Sequence, residues 1–348
     1  MEDVKTHSLS RVIRKIGWSA MPPVLAIFGT LLIVASFMVL VDISPSKAFG
    51  VLLRSTLSSI PSVCNVLRYS VPYIFAGLSV AIAMRAGMWN IGAEGQLQLG
   101  GLGALVAGLT TGSSSAGLVA GIAAGGVWGG IAGALKAYRG VNEIIVTIMM
   151  NFIAMYIVNN AVLGPLCFPT ATAPYTYSIP HSARLPILVS GTTLHLGFPL
   201  ALGSCIAFAL WFKYTLAGFR IRLTGLNLRA LTFSGSIPGK FQLLAMLLAG
   251  GVAGAAGAAE VLGVRYYLTL NWSRGWGWPA IAVAFLAKGN PLIVIPVAIF
   301  YAIFDAGSLQ LQIATGLPRA LVDVMQGLPL VLLIVFQTLQ QRWMKLQQ

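Results

Sequence analysis

A carboxylate lies among amides and glycines in the stretch "RAGMWNIGAEGQLQLGGLGA", residues 85–104 of an otherwise apolar chain. Glycines at a helix break, with polar side chains beside them, indicate a discontinuous helix that exposes backbone to a cavity. We expect Glu94 to hold that backbone, Asn90 and Gln96 to bond a small ligand, with Asn90 nearer to it, and Trp89 to offer a stacking face. The alternative is that Glu94 only occupies the first turn of the next helix, where the macrodipole favours a carboxylate.

A second polar pattern follows further along the chain. Polar side chains and one methionine recur every four residues on one helical face, at Glu143, Thr147, Asn151, Met155 and Asn159. Polar side chains in lipid need partners, so this face should point into the protein. It either lines a wet path, to which Thr147 and Asn151 would then belong, or ties neighbouring helices together.

The residues that enzymes and metal sites need are scarce. The three histidines and three cysteines are scattered and show no metal-ligand spacing. The stretch "GSIPGKF", residues 235–241, has three residues between its glycines and Phe after Lys, whereas a phosphate-binding loop needs four residues and then Ser or Thr. We therefore expect no catalytic residue, no metal site and no cofactor bound by this chain.

The composition is that of a polytopic membrane protein. Hydrophobic residues make up 57% of the 348-residue chain and charged residues 9%, and the mean hydropathy is +0.85. We predict an all-α protein with about ten transmembrane helices, eight at the fewest, some of them short or broken. The predicted spans are 21–41, 70–84, 97–109, 117–135, 144–163, 197–212, 243–262, 279–287, 292–309 and 327–339.

The net charge of +14 follows the topology that these spans imply. With the N-terminus inside, most Lys and Arg residues fall in cytoplasmic segments, as the positive-inside rule requires, so we expect no nucleic-acid partner. The first span is too long for a cleaved signal and is predicted to be an anchor. The predicted organisation is a basic cytoplasmic N-terminus (1–18), a transmembrane domain (19–341) and a cytoplasmic tail (342–348).

Two further segments predict contacts. Glycines at every fourth position of 117–133 predict a seam where another helix backbone approaches closely. The outer segment 164–196 contains five prolines, which exclude a long helix, and is either a platform for an external protein or an ordinary loop.

The predicted cytoplasmic loop 213–240 contains no acidic residue. Within it Asn227 can cap a short helix that carries Leu228, Leu231 and Phe233, and Gly235 can end it. Such an amphipathic helix either lies on lipid or docks into a groove of a partner.

Four motifs resemble one family in order and spacing. They are "GMWNIGAEGQLQLGGLGA" (87–104), "VNEIIVTIMMNFIA" (141–154), "TGLNLRALTFSG" (224–235) and "PAIAVAFLAKGNPL" (279–292). Over about residues 60–340 the chain resembles the ABC-importer permeases for nucleosides and simple sugars, within the wider branched-chain amino acid and ribose-like permease family. The "NIG-x-EGQ" and "NE-x-(I/V)-V-T" patterns are most similar to the nucleoside branch.

The resemblance implies an assembly in the bacterial inner membrane. Its members are a second, homologous permease, expected to form a heterodimer with this chain, a cytoplasmic ATPase that holds ATP and Mg²⁺, and an external solute-binding protein. Membrane lipids surround the chain, and both termini are expected in the cytoplasm. Through the same resemblance, the segment 225–235 resembles the helix that couples to the ATPase. Its residues are Gly225, Asn227, Leu228, Leu231, Phe233 and Gly235.

We therefore expect a transport subunit that performs no chemistry on its solute. The expected solute is neutral and polar, with a nucleoside first and a simple sugar or an autoinducer as alternatives. The expected pathway residues are Trp89, Asn90, Glu94, Gln96, Thr147 and Asn151. The alternative from another class is a proton-coupled secondary transporter that uses Glu94, Glu143 or Glu260.

Overall fold

A computed structural model describes residues 2–169 and 173–346. Met1, Gln347 and Gln348, which belong to the predicted cytoplasmic ends, lie outside the described residues. Within the described part the chain forms thirteen α-helices, a 3₁₀ turn at His181–Ala183 and a π-helical turn at Val261–Arg265. The helices are α1 Glu2–Leu40, α2 Pro45–Leu57, α3 Ile60–Arg85, α4 Ala93–Thr111, α5 Ser114–Arg139, α6 Glu143–Leu163, α7 Gly197–Tyr214, α8 Leu216–Leu226, α9 Leu228–Phe233, α10 Pro238–Glu260, α11 Gly277–Leu286, α12 Pro291–Thr315 and α13 Ala320–Leu346.

The predicted all-α membrane architecture is confirmed. Eight helical segments in the described part are long and apolar enough to cross a membrane, and they come from α1, α3, α5, α6, α7, α10, α12 and α13. The other two predicted spans are the polar-ended α4 and the ten-residue α11. Each of the ten predicted spans therefore corresponds to a helix, and α4 and α11 are the two helices that follow breaks in the chain.

The chain divides into two compact units. One comprises 1–54 and 307–348, where α1 packs on α13 and Gly29 lies against Leu332 and Phe336. The other comprises 55–306 and contains the polar stretches singled out in the sequence.

The predicted glycine seam is the centre of the larger unit. It runs along α5, where α10 packs so closely that a Cβ at Gly121 would lie 2.6 Å from the Ala258 Cβ. A Cβ at Gly125 would lie 2.6 Å from the Gly254 Cα, and α4 meets the same part of α10 through Gly100. The three helices therefore approach backbone to backbone, which only glycine permits.

The segment after α6 folds over the π-helical turn. It contains only the short 3₁₀ turn within the described residues, as its prolines predict. The amides of Ile179 and Leu185 donate to the carbonyls of Tyr266 and Leu262, at 2.9 Å each. Backbone hydrogen bonds therefore hold this segment against the π-helical turn.

We predict that Gly125→Leu lowers stability by about 1–3 kcal/mol or more, because the new side chain would separate α5 from α10. The measurement is thermal unfolding of the purified chain. Gly203→Leu is the matched control, because nothing lies within 4 Å of a Cβ at Gly203 on α7. Equal melting temperatures for Gly125→Leu and Gly203→Leu would contradict the seam.

Candidate functional site

The first helix break lies between α3 and α4. The intervening residues 86–92 contain Gly87 with φ +69°, and Gly92 precedes α4 without a side-chain cap. A Cβ at Gly87 would lie 2.9 Å from the Gly225 Cα, so this break touches the segment before α9. The break that the glycines predict is confirmed.

Asn90 and Gln96 pair with each other behind this break. Asn90 Nδ2 donates to Gln96 Oε1 at 2.8 Å, and Gln96 Nε2 donates to Asn90 Oδ1 at 2.9 Å. Asn90 Nδ2 also donates to Ser79 Oγ at 3.0 Å, and both amides are buried. In this conformation the pair fixes the break from inside the protein.

Asn151 of α6 satisfies backbone groups at the start of α4. Its Oδ1 accepts from the Gly95 amide at 2.8 Å, and its Nδ2 donates to the Ile91 carbonyl at 2.9 Å. Thr147, one turn earlier, is buried and donates to the Glu143 carbonyl at 2.7 Å. Asn151 therefore replaces bonds that a continuous helix would have made, as non-helical backbone in a membrane requires.

A second break separates α10 from α11, and Glu94 bridges the two breaks. After the π-helical turn, 266–276 are irregular until α11 begins at Gly277. Glu94 Oε2 accepts from the Gly277 amide at 2.8 Å, and Glu94 Oε1 accepts from Gln98 Nε2 at 3.0 Å. The carboxylate therefore lies in the first turn of α4 and caps α11, where both macrodipoles favour it.

The irregular segment is tied to α6 by a second amide pair. Asn159 Nδ2 donates to Asn271 Oδ1 at 2.9 Å, and the backbone N–H of Asn271 donates to Asn159 Oδ1 at 3.0 Å. Asn271 has φ +49° and Gly275 has φ +83°, so the chain turns sharply twice. Three members of the predicted polar face, Asn151, Met155 and Asn159, thus face the two breaks.

An open cavity of about 180 Å³ lies between these elements. Polar groups and broad apolar side chains share its wall, which contains no Lys or Arg. The lining residues are Glu94, Gln98, Asn151, Phe152, Met155, Asn271, Ser273, Gly275 and Trp278. The cavity can therefore offer hydrogen bonds and ring contacts to an uncharged molecule.

The structure separates the six sequence-predicted pathway residues into groups. Glu94 and Asn151 line the cavity, whereas Asn90, Gln96 and Thr147 are buried outside its lining. Trp89 is 45% exposed and packs on Phe285 with ring centroids 5.1 Å apart, also outside the cavity. Sequence reasoning missed Phe152 and the residues of 271–278, although the run "NWSRGWGW" combines glycine with polar residues as 85–104 does.

Charged residues hold the irregular segment near both of its ends. Glu260 is buried, and its Oε1 lies 3.9 Å from Arg68 and 3.6 Å from Arg265. Arg274 lies 3.6 Å from Asp305 and donates to the Tyr69 hydroxyl at 3.2 Å. These ion pairs join α3, α10 and α12 around the segment that carries the cavity wall.

His195 packs beside the same turn as a neutral residue. A Cβ at Gly263 would lie 2.5 Å from His195 Nδ1, and that nitrogen accepts from the Gly197 amide at 3.0 Å. Burial, with a smaller contribution from the charge of Arg68, lowers the pKa of His195 to about 4. The imidazole is therefore uncharged at neutral pH and adds nothing to the charge around Glu260.

The predicted coupling segment forms the short helix α9. Asn227 Oδ1 accepts from the Ala230 amide at 3.1 Å, and Gly235 follows the helix with φ +74°. Leu231 is fully buried within the chain, so the structure corrects the expectation that it offers a docking surface. Its side chain lies on the helix face that packs inward, and the exposed apolar residues are Phe233 (91%), Leu226 (84%) and Leu228 (47%).

Metal-ligating side chains do not gather in the described part of the chain. No group of three or more His, Cys, Asp or Glu residues there could hold a metal ion. The fold and the cavity define a polytopic membrane protein with an open site between broken helices.

Residues 62–334 match the family described as branched-chain amino acid transport system / permease component. The chain belongs to this family of membrane permeases. It is 34% identical to a guanosine ABC transporter permease protein of Bacillus subtilis over 87% of this chain and 89% of the relative. It is 31% identical to a glucose ABC transporter permease protein of Haloferax volcanii (90% and 86%) and 26% identical to a nucleoside ABC transporter permease protein of Lactococcus lactis (87% and 87%). No solved structure matched the chain.

We predict that Glu94→Ala lowers the stability of the purified chain by about 1–3 kcal/mol, because the buried Gly277 amide loses its acceptor. Glu94→Gln should cost less, since its carbonyl oxygen can still accept from that amide. Thermal unfolding of the two variants, with Gln98→Ala as the variant that removes only the second bond, provides the measurement. If Glu94→Gln is as destabilising as Glu94→Ala, the charge and not the acceptor holds α11.

Proposed function

We propose that this chain is the membrane-spanning subunit of an ABC importer for a neutral polar solute, with a nucleoside as the first candidate. The observation that carries the proposal is the cavity between the two helix breaks. Its one carboxylate, Glu94, already accepts two hydrogen bonds, and no cation lines it. An anionic solute would find no cation there, and the carboxylate already has two donors, whereas the hydroxyl and amide groups of a neutral solute would find hydrogen-bond partners.

The choice of a nucleoside rests on the shape of the wall. Phe152 and Trp278 supply aromatic faces for a base, while Gln98, Asn151 and Ser273 supply donors and acceptors for base edges and ribose hydroxyls. A simple sugar or an autoinducer remains the alternative, because the glucose permease relative is about as similar as the guanosine relative. In this proposal the pathway is supported by four residues that lie outside the cavity lining, namely Trp89, Asn90, Gln96 and Thr147.

The proposed assembly has three further members. At about 180 Å³ the cavity is smaller than the roughly 300 Å³ at which ordinary ligand pockets begin, and a second, homologous permease would complete it. An external binding protein would deliver the solute, and a separate ATPase subunit would hold ATP and Mg²⁺, so that this chain binds no cofactor. The chain would lie in the bacterial plasma membrane with both termini in the cytoplasm.

The proposed contact with the ATPase is the exposed side of α9. Phe233 and Leu228 of α9, together with Leu226 at the end of α8, would enter an apolar groove, while buried Leu231 anchors α9 to its own chain. Gly225 precedes this helix and touches the backbone at Gly87. A movement of α9 would therefore reach the break before α4, and through it the cavity.

The proton-coupled alternative has less support from the acidic side chains. Glu143 lies 2.9 Å from Lys136, and Glu260 lies between Arg68 and Arg265. Glu94 accepts from two donors. Each of these carboxylates is thus engaged in a structural contact within the protein, and an ATPase-driven importer needs none of them to carry protons.

We predict that Phe233→Asp releases the ATPase, with co-purification falling about tenfold or more, which corresponds to about 1.4 kcal/mol. Leu216→Asp is the matched control, because Leu216 is 62% exposed on the neighbouring α8 and undergoes the same change. Membrane insertion of both variants should equal that of the unchanged chain. Full retention of the ATPase by Phe233→Asp would contradict docking through α9.

We also predict that vesicles with the complete assembly take up radiolabelled guanosine only when ATP and Mg²⁺ reach the cytoplasmic side. The reason is that the energy would come from the ATPase and not from an ion gradient. An imposed proton gradient without ATP is the control. Uptake driven by that gradient alone would favour the secondary transporter, and ATP-driven uptake of glucose but not guanosine would favour the sugar alternative.

A further inference from the structure

A second cavity, of about 320 Å³, lies where three membrane spans end. Three cations line it, and no acidic residue does. The lining residues are Arg85, Ala209, Leu210, Phe212, Lys213, Arg222, Asn290, Pro291 and Leu292. All of them belong to the larger unit of the chain.

Within the described part of the chain, the cations of this cavity have no carboxylate partner. Arg85 Nε donates to the Gly289 carbonyl at 2.8 Å, and its guanidinium lies 5.7 Å from the centre of the Phe212 ring. Arg222 Nε is buried and has no hydrogen-bond partner in the described structure. None of the ion pairs described for this chain includes Arg85, Lys213 or Arg222. Like charges gathered around a cavity repel one another, so an anion bound there would be stabilised.

The position of the cavity indicates where such an anion comes from. Arg85 is the last residue of α3, Lys213 lies in the last turn of α7, and Pro291 is the first residue of α12. Tyr214, at the same end of α7, is 69% exposed. The centre of its ring lies 4.9 Å from Lys213 Nζ. Exposed aromatic and basic residues at the ends of spans are typical of the level of the lipid headgroups.

The walls beside the cations are apolar and open. Leu210 on α7 is 50% exposed, and Leu292 on α12 is 49% exposed. These side chains continue from the cationic end along the two spans, where acyl chains would surround the protein. A soluble anion would gain nothing from contact with these apolar side chains, whereas a phospholipid would contact both the cations and the leucines.

We propose that this cavity binds the phosphate headgroup of an anionic phospholipid. The phosphate lies among Arg85, Lys213 and Arg222, and an acyl chain follows Leu210 and Leu292. Basic pockets between transmembrane helices bind anionic headgroups by this combination of charge and apolar contact. The bound lipid joins the end of α3 to α7, α8 and the start of α12.

The test uses the full chain, purified in an uncharged detergent and titrated with phosphatidylglycerol, phosphatidylcholine or inorganic phosphate. Lipid retention is measured by native mass spectrometry and stabilisation by thermal unfolding. The variant Lys213→Gln/Arg222→Gln removes two cations from the cavity. The control Arg139→Gln/Arg229→Gln removes two exposed cations that do not line it.

Phosphatidylglycerol should bind and stabilise the unchanged chain and the control, while the cavity variant should need about tenfold more of this lipid. Phosphatidylcholine and phosphate should have little effect. Equal losses in the two double variants would overturn the proposal, as would stabilisation by inorganic phosphate equal to that by the lipid. If the cavity variant fails to fold, Lys213→Gln alone serves, since that side chain is exposed, and an unchanged lipid response would then overturn the proposal.

Discussion

Backbone groups that leave a helix inside a bilayer need partners within the protein, and this requirement shapes the larger unit. The helical structure is interrupted before α4 and again before α11, and Glu94 contacts both interruptions. Its carboxylate accepts from the Gly277 amide, while Asn151 accepts from the Gly95 amide and donates to the Ile91 carbonyl. The polar residues inside the bundle therefore first satisfy backbone, and the cavity lies between the groups that do so.

Close helix packing makes these bonds possible. A Cβ at Gly277 would lie 2.5 Å from the Glu94 Cα, and one at Gly95 would lie 2.9 Å from the Asn151 Cα. Behind them, the glycine seam brings α4 and α5 against α10. Because each approach depends on the absence of a side chain, the many glycines position the site as directly as the polar residues do.

The sequence was sufficient for the ten predicted spans, α9, the seam and the first break, because hydrophobic period, glycine spacing and capping residues are local signals, whereas α2 and α8 were not predicted. Asn227, for example, caps α9 as its position predicts. Which polar groups pair with one another depends on residues distant in sequence, so the Gly95–Asn151 and Asn159–Asn271 pairs could not be assigned. Leu231 shows the same limit, because a six-residue helix does not reveal which of its apolar side chains turns inward.

The contact between Gly87 and Gly225 gives the proposed coupling a physical route. A Cβ at Gly225 would lie 2.7 Å from the Gly87 amide nitrogen, so the segment before α9 and the break before α4 touch through backbone alone. A displacement of one backbone segment is passed directly to a segment in contact with it, because no flexible side chain lies between the two. If an ATPase moves α9, the break moves with it, and Asn151 and Glu94 must then adjust their bonds to residues 91–95 and Gly277. The same bonds that hold the cavity in this conformation would thus be those that a transport cycle changes.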